Sequence, residues 1–339
     1  MKKKALAAIA LGATAIAAAF IFGSGSHTST LSFYSMDTPV NMTAYGLKGE
    51  KALAAARARI TQLEREMSVT KDSSDVFRLN AGESVALCAD AEELLKTALA
   101  LSEKTGGAFD PTLYPIVRAW GFTTYDNRIP GADELEELKK LIGTDKIVSD
   151  GEKTKLAVGS MIDLGAIAKG FAGAEAAKAI AGVGVKSAVI NLGGNVQTVG
   201  LPPRRKSWSV GVRAPQGDVL LGVLDVGECA IVTSGGYERY FIGDDGETYW
   251  HIMDPKTASP ARSGVASATV LGSDGAECDA LSTAFFVMGA QRAAEYWKAH
   301  DGFEFLILAD DGLWITEGIE NAFTLDREYS DMKVNVVRR

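Results

Sequence analysis

Short alternating runs of apolar and polar residues between positions 208 and 270 constrain the fold of this 339-residue chain more than any other feature. Glycine, proline and aspartate separate these runs. A period of two residues between turn-forming residues is typical of antiparallel strands. Further strands are predicted at 30–45 (a pair around a turn), 187–192, 303–308 and 312–316. The chain is therefore expected to build a large, mainly antiparallel sheet.

Helices are predicted where apolar residues recur every three or four positions. Leu53, Ala56, Ile60 and Leu63 show this spacing, which places them on one face of a helix. The predicted helices span 50–67, 91–105, 133–143, 167–181, 279–288 and 292–299. No repeat or linker divides residues 31–330. The predicted fold class is therefore α+β, a single mixed domain with an antiparallel-rich sheet flanked by helices.

The first 30 residues have the composition of an export segment. Residues 2–4 are lysines, residues 5–22 are uncharged and rich in alanine and isoleucine, and Gly-Ser-Gly-Ser follows. This order predicts a secretory signal peptide, or an uncleaved membrane anchor, since the apolar run is near the lower limit for a span. We therefore assign residues 1–30 to this segment and 31–335 to the folded domain. The protein is expected to be exported, in a periplasm or on the outer face of the cytoplasmic membrane.

Charge and residue usage argue against several classes of protein. The net charge of −8 is unlike that of a nucleic-acid-binding domain, which needs a basic face. The three cysteines include no Cys-x-x-Cys pair, and the three histidines lie far apart, so a zinc or histidine-rich metal site is not expected. A serine hydrolase is not expected either, because the Gly-x-Ser-x-Gly motif is missing.

Asp279 and Thr283 are the clearest candidate metal ligands. They lie four residues apart, hence on one face of a helix. A carboxylate and a hydroxyl, completed by a backbone carbonyl from elsewhere, suit Mg²⁺. Magnesium held in this way usually serves phosphoryl or nucleotidyl transfer. The alternative interpretation is that Asp279 only caps the helix.

Other segments carry chemistry of their own, each with a structural alternative. The turn at Gly165 offers backbone groups and Lys169 to a phosphate, or is simply a tight turn with a solvated lysine. Tyr237, after two glycines, could stack on a planar ring or belong to the core. Asp110 before a proline is a common turn initiator. His251 alone is not informative.

Taken together and in order, these segments resemble the ApbE family, the FAD:protein FMN transferases. The resemblance covers nearly all of residues 31–330. It rests on Met36-Asp-Thr38, Ser73-Ser-Asp-Val-Phe-Arg-Leu-Asn80, Gly107-Ala-Phe-Asp110-Pro-Thr-Leu-Tyr-Pro115, Trp120-Gly-Phe122, Asp163-Leu-Gly-Ala-Ile-Ala-Lys169-Gly170, Asn191-Leu-Gly-Gly194, Thr233-Ser-Gly-Gly-Tyr-Glu-Arg239, His251-Ile-Met-Asp-Pro-Lys-Thr257 and Asp279-Ala-Leu-Ser-Thr283.

The resemblance implies a T-fold-like domain that binds FAD and Mg²⁺, attaches FMN to a threonine of an acceptor flavoprotein and releases AMP. It implies metal ligands at Asp279, Thr283 and the Ala166 carbonyl, with Asp279 and His251 as catalytic residues. His251 would help to deprotonate the acceptor threonine, which lies in a Ser/Thr-Gly-Ala-Thr-like motif. Residues that would contact FAD are Met36, Asp110, Lys169, Ser234, Gly235, Tyr237 and His251. Family acceptors are typically membrane-bound redox subunits and secreted flavoproteins.

Three positions depart from the family pattern. Asp37 and Ala258 stand where glycine is usual, and Ala174 stands where an aspartate is frequent. Asp tolerates the left-handed conformation, so the turn at Asp37 is expected to survive. Two alternatives to the transferase remain open from the sequence. One is an FAD pyrophosphatase that yields FMN and AMP. The other is a non-catalytic flavin-binding protein, which degraded metal ligands would favour.

Overall fold

The computed structural model describes residues 27–124, 126–216 and 219–339, and in these ranges a nine-stranded sheet forms the centre of the protein. The strands in chain order are β1 (Thr28–Ser35), β2 (Thr38–Tyr45), β3 (Ile147–Ser149), β4 (Thr154–Leu156), β5 (Ala188–Leu192), β6 (Asn195–Val199), β7 (Trp208–Arg213), β8 (Leu220–Val226), β9 (Ala230–Gly235), β10 (Tyr240–Ile242), β11 (Thr248–Trp250), β12 (Met253–Asp254), β13 (Ser259–Pro260), β14 (Val265–Gly272), β15 (Phe303–Ala309), β16 (Gly312–Thr316), β17 (Phe323–Leu325) and β18 (Val334–Val337). The central sheet has the order β1-β2-β5-β6-β9-β14-β15-β16-β18. Its neighbours are antiparallel except β16 and β18, which are parallel.

The helices of the described chain are α1 (Gly49–Met67), α2 (Asp75–Asn80), α3 (Ala89–Lys104), α4 (Tyr114–Ala119), α5 (Ala132–Lys139), α6 (Gly165–Gly182), α7 (Gly275–Met288) and α8 (Ala290–Ala299). Three short 3₁₀ turns lie at Thr144–Lys146, Glu317–Ile319 and Arg327–Tyr329. Helices α1, α6 and α7 cover one face of the central sheet. A smaller sheet of β17, β8 and β7 covers the other face.

Alternation along the strands explains why both faces are covered. In β14, Ala268 and Val270 belong to the core beneath the helices, whereas Leu271 belongs to the core beneath the smaller sheet. A sheet with apolar residues on both faces must bury both. The predicted α+β class with an antiparallel-rich sheet flanked by helices is therefore confirmed.

The predicted strand pair at 30–45 is a two-residue hairpin. Met36 and Asp37 form its turn with φ values of 52° and 58°, while Ser35 pairs with Thr38. Positive φ at both central residues defines a type I′ turn, whose twist matches that of the strands. The expectation that Asp37 tolerates the left-handed conformation is confirmed. Ala258 retains the same conformation, with φ 55°.

Several element boundaries differ from the prediction. Helix α7 begins one turn earlier than expected, because the Asp274 side chain caps it by accepting the Glu277 N–H. Helix α5 ends at Lys139 rather than at residue 143. Helices α2 and α4 were not predicted, since six residues are too few to show a clear helical period.

The predicted export segment lies almost entirely outside the described residues, which begin at His27. Among residues 27–124, 126–216 and 219–339, the helices are either too short or too polar to cross a lipid bilayer.

Candidate active site

Helices α6 and α7 touch through their backbones, and this contact organises the candidate site. A Cβ atom added to Gly170 would lie 1.9 Å from the carbonyl oxygen of Gly275, and one added to Gly275 would lie 2.4 Å from the carbonyl oxygen of Gly170. Only glycine permits such an approach. Both helices are rich in apolar residues on all sides because they are packed between the sheet and other helices.

Asp279 lies at this crossing. Its side chain is 3% exposed, and its Oδ2 accepts a hydrogen bond of 2.8 Å from the Gly170 N–H. In a regular α-helix that N–H would point to the carbonyl of Ala166, four residues earlier. The carboxylate of α7 is therefore held against the turn of α6 that carries Ala166. Because Asp274 caps α7, the capping interpretation of Asp279 is wrong.

Thr283 lies one helical turn after Asp279, and its hydroxyl contacts a side chain of the central sheet. The Ser234 hydroxyl of β9 lies 3.2 Å from Thr283 Oγ1 and 2.7 Å from Ser282 Oγ. Ser234 faces α7 because its side chain is on the helix-covered face of β9. The structure thus brings Asp279, Thr283 and Ser234 together, next to the first turn of α6.

The oxygen atoms at this crossing fit a hard cation. One carboxylate, one hydroxyl and one backbone carbonyl are the donor types that Mg²⁺ prefers, and few protein ligands suffice because it keeps several waters. Oδ2 of Asp279 is engaged by Gly170, so Oδ1 is the oxygen that a cation would take. In the described chain no three His, Cys, Asp or Glu side chains converge on one point, and the predicted site needs only one of them.

A second group of charged side chains forms where the β1–β2 turn meets the segment before β10. The Arg239 guanidinium donates to the Asp37 carboxylate, which lies 202 residues away in the sequence. The unusual aspartate in the turn therefore has a defined partner. No local pattern in the sequence gives Arg239 a role, because its partner is 202 residues away, and only the folded chain shows this pairing.

His251 is bound to the same segment. Its backbone N–H donates to the Arg239 carbonyl at 3.1 Å, and its Nδ1 lies 3.2 Å from that oxygen. Because a carbonyl only accepts, Nδ1 must carry the proton, which leaves Nε2 as an acceptor in the neutral ring. Burial, and then the positive charges of Arg239 and Lys169, lower the pKa of His251 to about 4.

Lys169 and Asp163 lie at the start of α6. Lys169 Nζ donates to the Gly165 carbonyl at 3.2 Å, and Asp163 Oδ1 accepts the Gly165 N–H at 2.8 Å. Burial raises the pKa of Asp163, and the positive charges of Lys169 and Arg239 act in the opposite direction. A loop of residues 157–164 separates β4 from this helix, so the turn at Gly165 is a loop-to-helix turn. The lysine is close enough to Asp163 and His251 to influence them electrostatically.

Asp110 makes the predicted turn. Its Oδ1 accepts hydrogen bonds from the backbone N–H and the hydroxyl of Thr112, at 2.8 and 2.5 Å. Burial raises the pKa of Asp110. The next carbonyl, that of Pro111, accepts the Asp163 N–H at 2.8 Å. The Asp110 segment therefore borders the start of α6.

The remaining candidate flavin contacts lie in the β1–β2 turn (Met36) and at or just after the end of β9 (Gly235 and Tyr237). Met36 lies in the β1–β2 turn and packs against the core beneath the helices. The Tyr237 ring occupies the space where a Gly235 side chain would be, with the contact at 2.5 Å, and Arg213 lies 5.4 Å from its centroid. Burial raises the pKa of Tyr237 to about 12. Ser234 and Gly235 are neighbours in β9 and so face opposite sides of the strand. The Tyr237 ring, which packs at Gly235, therefore lies on the other side of β9 from the Ser234 side chain.

Comparisons with known proteins agree with this architecture. The model of the ApbE family matches residues 36–307. An FAD:protein FMN transferase of Treponema pallidum is 33% identical over 281 residues, which is 77% of this chain and 77% of that protein.

Solved structures extend the comparison. The crystal structure of the ApbE protein from Thermotoga maritima superimposes with a TM-score of 0.79 at 30% identity, over 92% of this chain and all of that one. The flavin transferase ApbE from Vibrio cholerae gives a TM-score of 0.77 at 25% identity, over 91% of this chain and all of that one. The predicted resemblance is confirmed, and with it the transferase class of enzyme. This chain belongs to the ApbE family.

Proposed function

We propose that this protein transfers the FMN moiety of FAD to a threonine side chain of an acceptor flavoprotein in an Mg²⁺-dependent reaction that releases AMP. In this reaction a bond forms between the threonine Oγ and the FMN phosphorus, and the pyrophosphate bond to AMP breaks. The observation that carries the proposal is the buried Asp279 carboxylate, held by the Gly170 N–H beside the turn of Ala166 and one helical turn from the Thr283 hydroxyl.

Asp279, Thr283 and the Ala166 carbonyl would hold the metal ion. When bound, Mg²⁺ polarises pyrophosphate oxygens and offsets the negative charge that develops on them. Ser234 of β9 supports this metal site because its hydroxyl contacts the hydroxyls of Thr283 and Ser282. Lys169 and Arg239 supply positive charge on the side of the site nearest His251.

His251 is the proposed proton acceptor. Its Nδ1 is occupied by the Arg239 carbonyl, so Nε2 is free to accept the threonine proton. A pKa of about 4 keeps the ring neutral at physiological pH but makes it a weak base. Such a base is effective once the Oγ–P bond has begun to form, because the hydroxyl proton is then much more acidic.

The flavin would bind along Met36, Asp110, Ser234, Gly235 and Tyr237. Because Gly235 has no side chain, the Tyr237 ring packs against its backbone and would offer an aromatic surface to the flavin. Tyr237 keeps its hydroxyl proton throughout the physiological range, since its pKa is about 12, and can therefore donate a hydrogen bond.

Residues 1–30 would direct this activity to the cell envelope. The three lysines, the apolar run and the small polar residues of this segment support export, followed by cleavage or by anchoring in the cytoplasmic membrane. The acceptor would then be a membrane-bound redox subunit or a secreted flavoprotein.

The test uses the purified protein with FAD, Mg²⁺ and a peptide that carries a Ser/Thr-Gly-Ala-Thr motif. Mass spectrometry measures the peptide while AMP is assayed in parallel. An FMN-sized mass gain with AMP release, both abolished by EDTA, is the expected result. AMP without modified peptide would instead identify an FAD pyrophosphatase. If neither product formed, the protein would be a flavin binder.

A further inference from the structure

One corner of the central sheet carries a basic surface, although the protein has a net charge of −8. Three loops that surround the start of β1 form it: the β2–α1 loop, the α6–β5 loop and the β6–β7 loop. Four cationic side chains of these loops are exposed: Lys48, Lys186, Arg205 and Lys206. We call this surface the basic corner.

Contacts between the loops place these four side chains together. β2 and β5 are antiparallel neighbours, so Lys48, three residues after β2, lies next to the loop of Lys186, two residues before β5. A Cβ atom added to Gly200 would lie 2.1 Å from the Lys186 carbonyl oxygen, so the β6–β7 loop packs against the α6–β5 loop. Arg205 is close enough to Tyr45, the last residue of β2, to act on it electrostatically. The basic corner is therefore one continuous surface.

The cations of the basic corner outnumber the carboxylates around it. None of the four belongs to an ion pair with another described residue. Glu228 and Glu50 border the corner, and the first of them accepts the Gly200 N–H at 2.9 Å. Other carboxylates at this end of the sheet, such as Asp274 and Asp301, lie beside β14 and β15, toward the opposite edge. An anionic partner is therefore attracted to this corner and not to the rest of the same end.

Two leucines of the same loops are exposed to solvent. Leu47, next to Lys48, is 84% exposed, and Leu201, next to Gly200, is 49% exposed. A single exposed leucine needs no explanation. Exposed leucines among cations are typical of surfaces that meet a membrane, because the apolar side chains enter the interface while the cations bind anionic headgroups. The partner that fits this surface is therefore an anionic lipid bilayer.

The chain also enters the domain at this corner. The Gly46 N–H donates to the carbonyl of His27, the residue before β1, at 2.7 Å. In the sequence, residues 5–22 are uncharged and apolar, and five residues separate them from β1. Five residues span at most about 18 Å. An apolar segment held in a bilayer would therefore keep the basic corner at the membrane surface.

We propose that the basic corner docks on the anionic headgroups of the membrane in which residues 5–22 are anchored, with Leu47 and Leu201 in the interface. This inference rests on the proposed placement of the protein at the cell envelope. A tether alone would leave the orientation of the domain undefined, whereas docking of this corner fixes it.

This orientation determines where the candidate active site lies. β1 extends about 27 Å from the basic corner to the β1–β2 turn. In that turn Asp37 binds Arg239, whose carbonyl holds His251. The site is therefore at the end of the domain that faces away from the bilayer. It would meet acceptor threonines that are presented up to about 27 Å from the membrane surface.

The experiment places the full chain on lipid vesicles and measures amide hydrogen exchange by mass spectrometry. Vesicles of phosphatidylcholine are compared with vesicles of phosphatidylcholine and phosphatidylglycerol. On the anionic vesicles, peptides that contain residues 46–48, 184–187 and 200–207 should exchange more slowly. Added salt should remove this protection, because it screens the cations. Peptides of the β10–β11 hairpin, at the end that carries the site, should exchange at the same rate on both kinds of vesicle.

The triple variant Lys186→Gln/Arg205→Gln/Lys206→Gln should lose this protection while it stays on the vesicles through its N-terminal segment. Each cation near an anionic surface changes the ratio of docked to undocked protein about fivefold. Removal of three cations should therefore lower this ratio about 100-fold.

Lys153→Gln/Lys155→Gln/Lys333→Gln is the matched control. These three lysines are exposed, but they lie in or beside β4 and β18, away from the basic corner. The control loses the same charge and should keep the protection. Both variants should transfer FMN to a soluble acceptor peptide at the wild-type rate, since neither changes a residue of the site.

The outcomes separate this inference from the proposed transferase. Equal protection on both kinds of vesicle, or protection that the triple variant keeps, would overturn the docking, whereas FMN transfer would stand. If the full chain did not associate with vesicles, both the docking and the placement at the cell envelope would be wrong. Protection of the same segments without lipid, growing with protein concentration, would assign the corner to a second copy of this chain and also overturn the proposal. Docking without FMN transfer by the wild type would refute the transferase alone.

Discussion

Replacing Gly170 by alanine should destabilise the protein by about 2–4 kcal/mol, although the same change in an ordinary helix interior stabilises by about 0.5–1 kcal/mol. The new Cβ would lie 1.9 Å from the Gly275 carbonyl oxygen and 2.8 Å from Asp279 Cβ. The first neighbour is backbone and cannot rotate away, so the two helices must separate. Overpacking of this kind costs about 1–3 kcal/mol. Separation also weakens the hydrogen bond to the Asp279 carboxylate, which contributes about 1.5–3 kcal/mol.

Gly173→Ala is the matched control. Gly173 lies in the same helix, but its added Cβ would be 3.4 Å from Gln197 Cβ and 3.6 Å from Leu192 Cδ1, which are ordinary contacts. This variant should therefore be as stable as the wild type or more stable, by up to about 1 kcal/mol.

Thermal and denaturant unfolding of the three proteins measure the difference. A loss of 2–4 kcal/mol lowers Tm by about 3–6 °C in a protein of this size. Gly170→Ala should also require more Mg²⁺ for half-maximal AMP release, because Asp279 moves with α7. If Gly170→Ala and Gly173→Ala unfolded at the same temperature, the backbone contact between α6 and α7 would not be the constraint inferred here.

Further predictions concern the residues of the site. Asp279→Ala should keep its circular dichroism spectrum and lose Mg²⁺-dependent AMP release by about 100-fold or more, and full activity would exclude Asp279 as a metal ligand. His251→Ala should still bind FAD but transfer FMN about 10²–10⁴-fold more slowly, whereas unchanged transfer would remove its role as base. The pKa of His251 is lowered from 6.5 to about 4, so the unfolded state binds more protons between these values. The free energy of unfolding should therefore fall by up to about 3 kcal/mol as the pH drops from 6.5 to 4. In denaturant unfolding at pH 7.5 and 4.5, His251→Asn should lack this part of the pH dependence, and identical losses in both proteins would contradict the lowered pKa.

Local sequence patterns were sufficient for the elements that carry a long, regular period. Apolar spacing predicted α1 within one residue of its observed ends, and alternation predicted the β1–β2 hairpin. The terminal hairpin of β15 and β16 was predicted for the same reason. Short elements such as α2 and the parallel strand β18 were not predicted. Six or four residues do not establish a period, and the position of β18 depends on pairing with β16.

The sequence by itself determined the family, through the order of its motifs. It also determined the candidate ligands, because Asp279 and Thr283 lie four residues apart and share one face of a helix whatever surrounds them. Only the tertiary structure decided that Gly170 and Gly275 let two helices meet. It also paired Asp37 with Arg239 across 202 residues and lowered the pKa of His251 to about 4. These features arise from contacts between distant segments and from burial. Local periodicity carries no information about either.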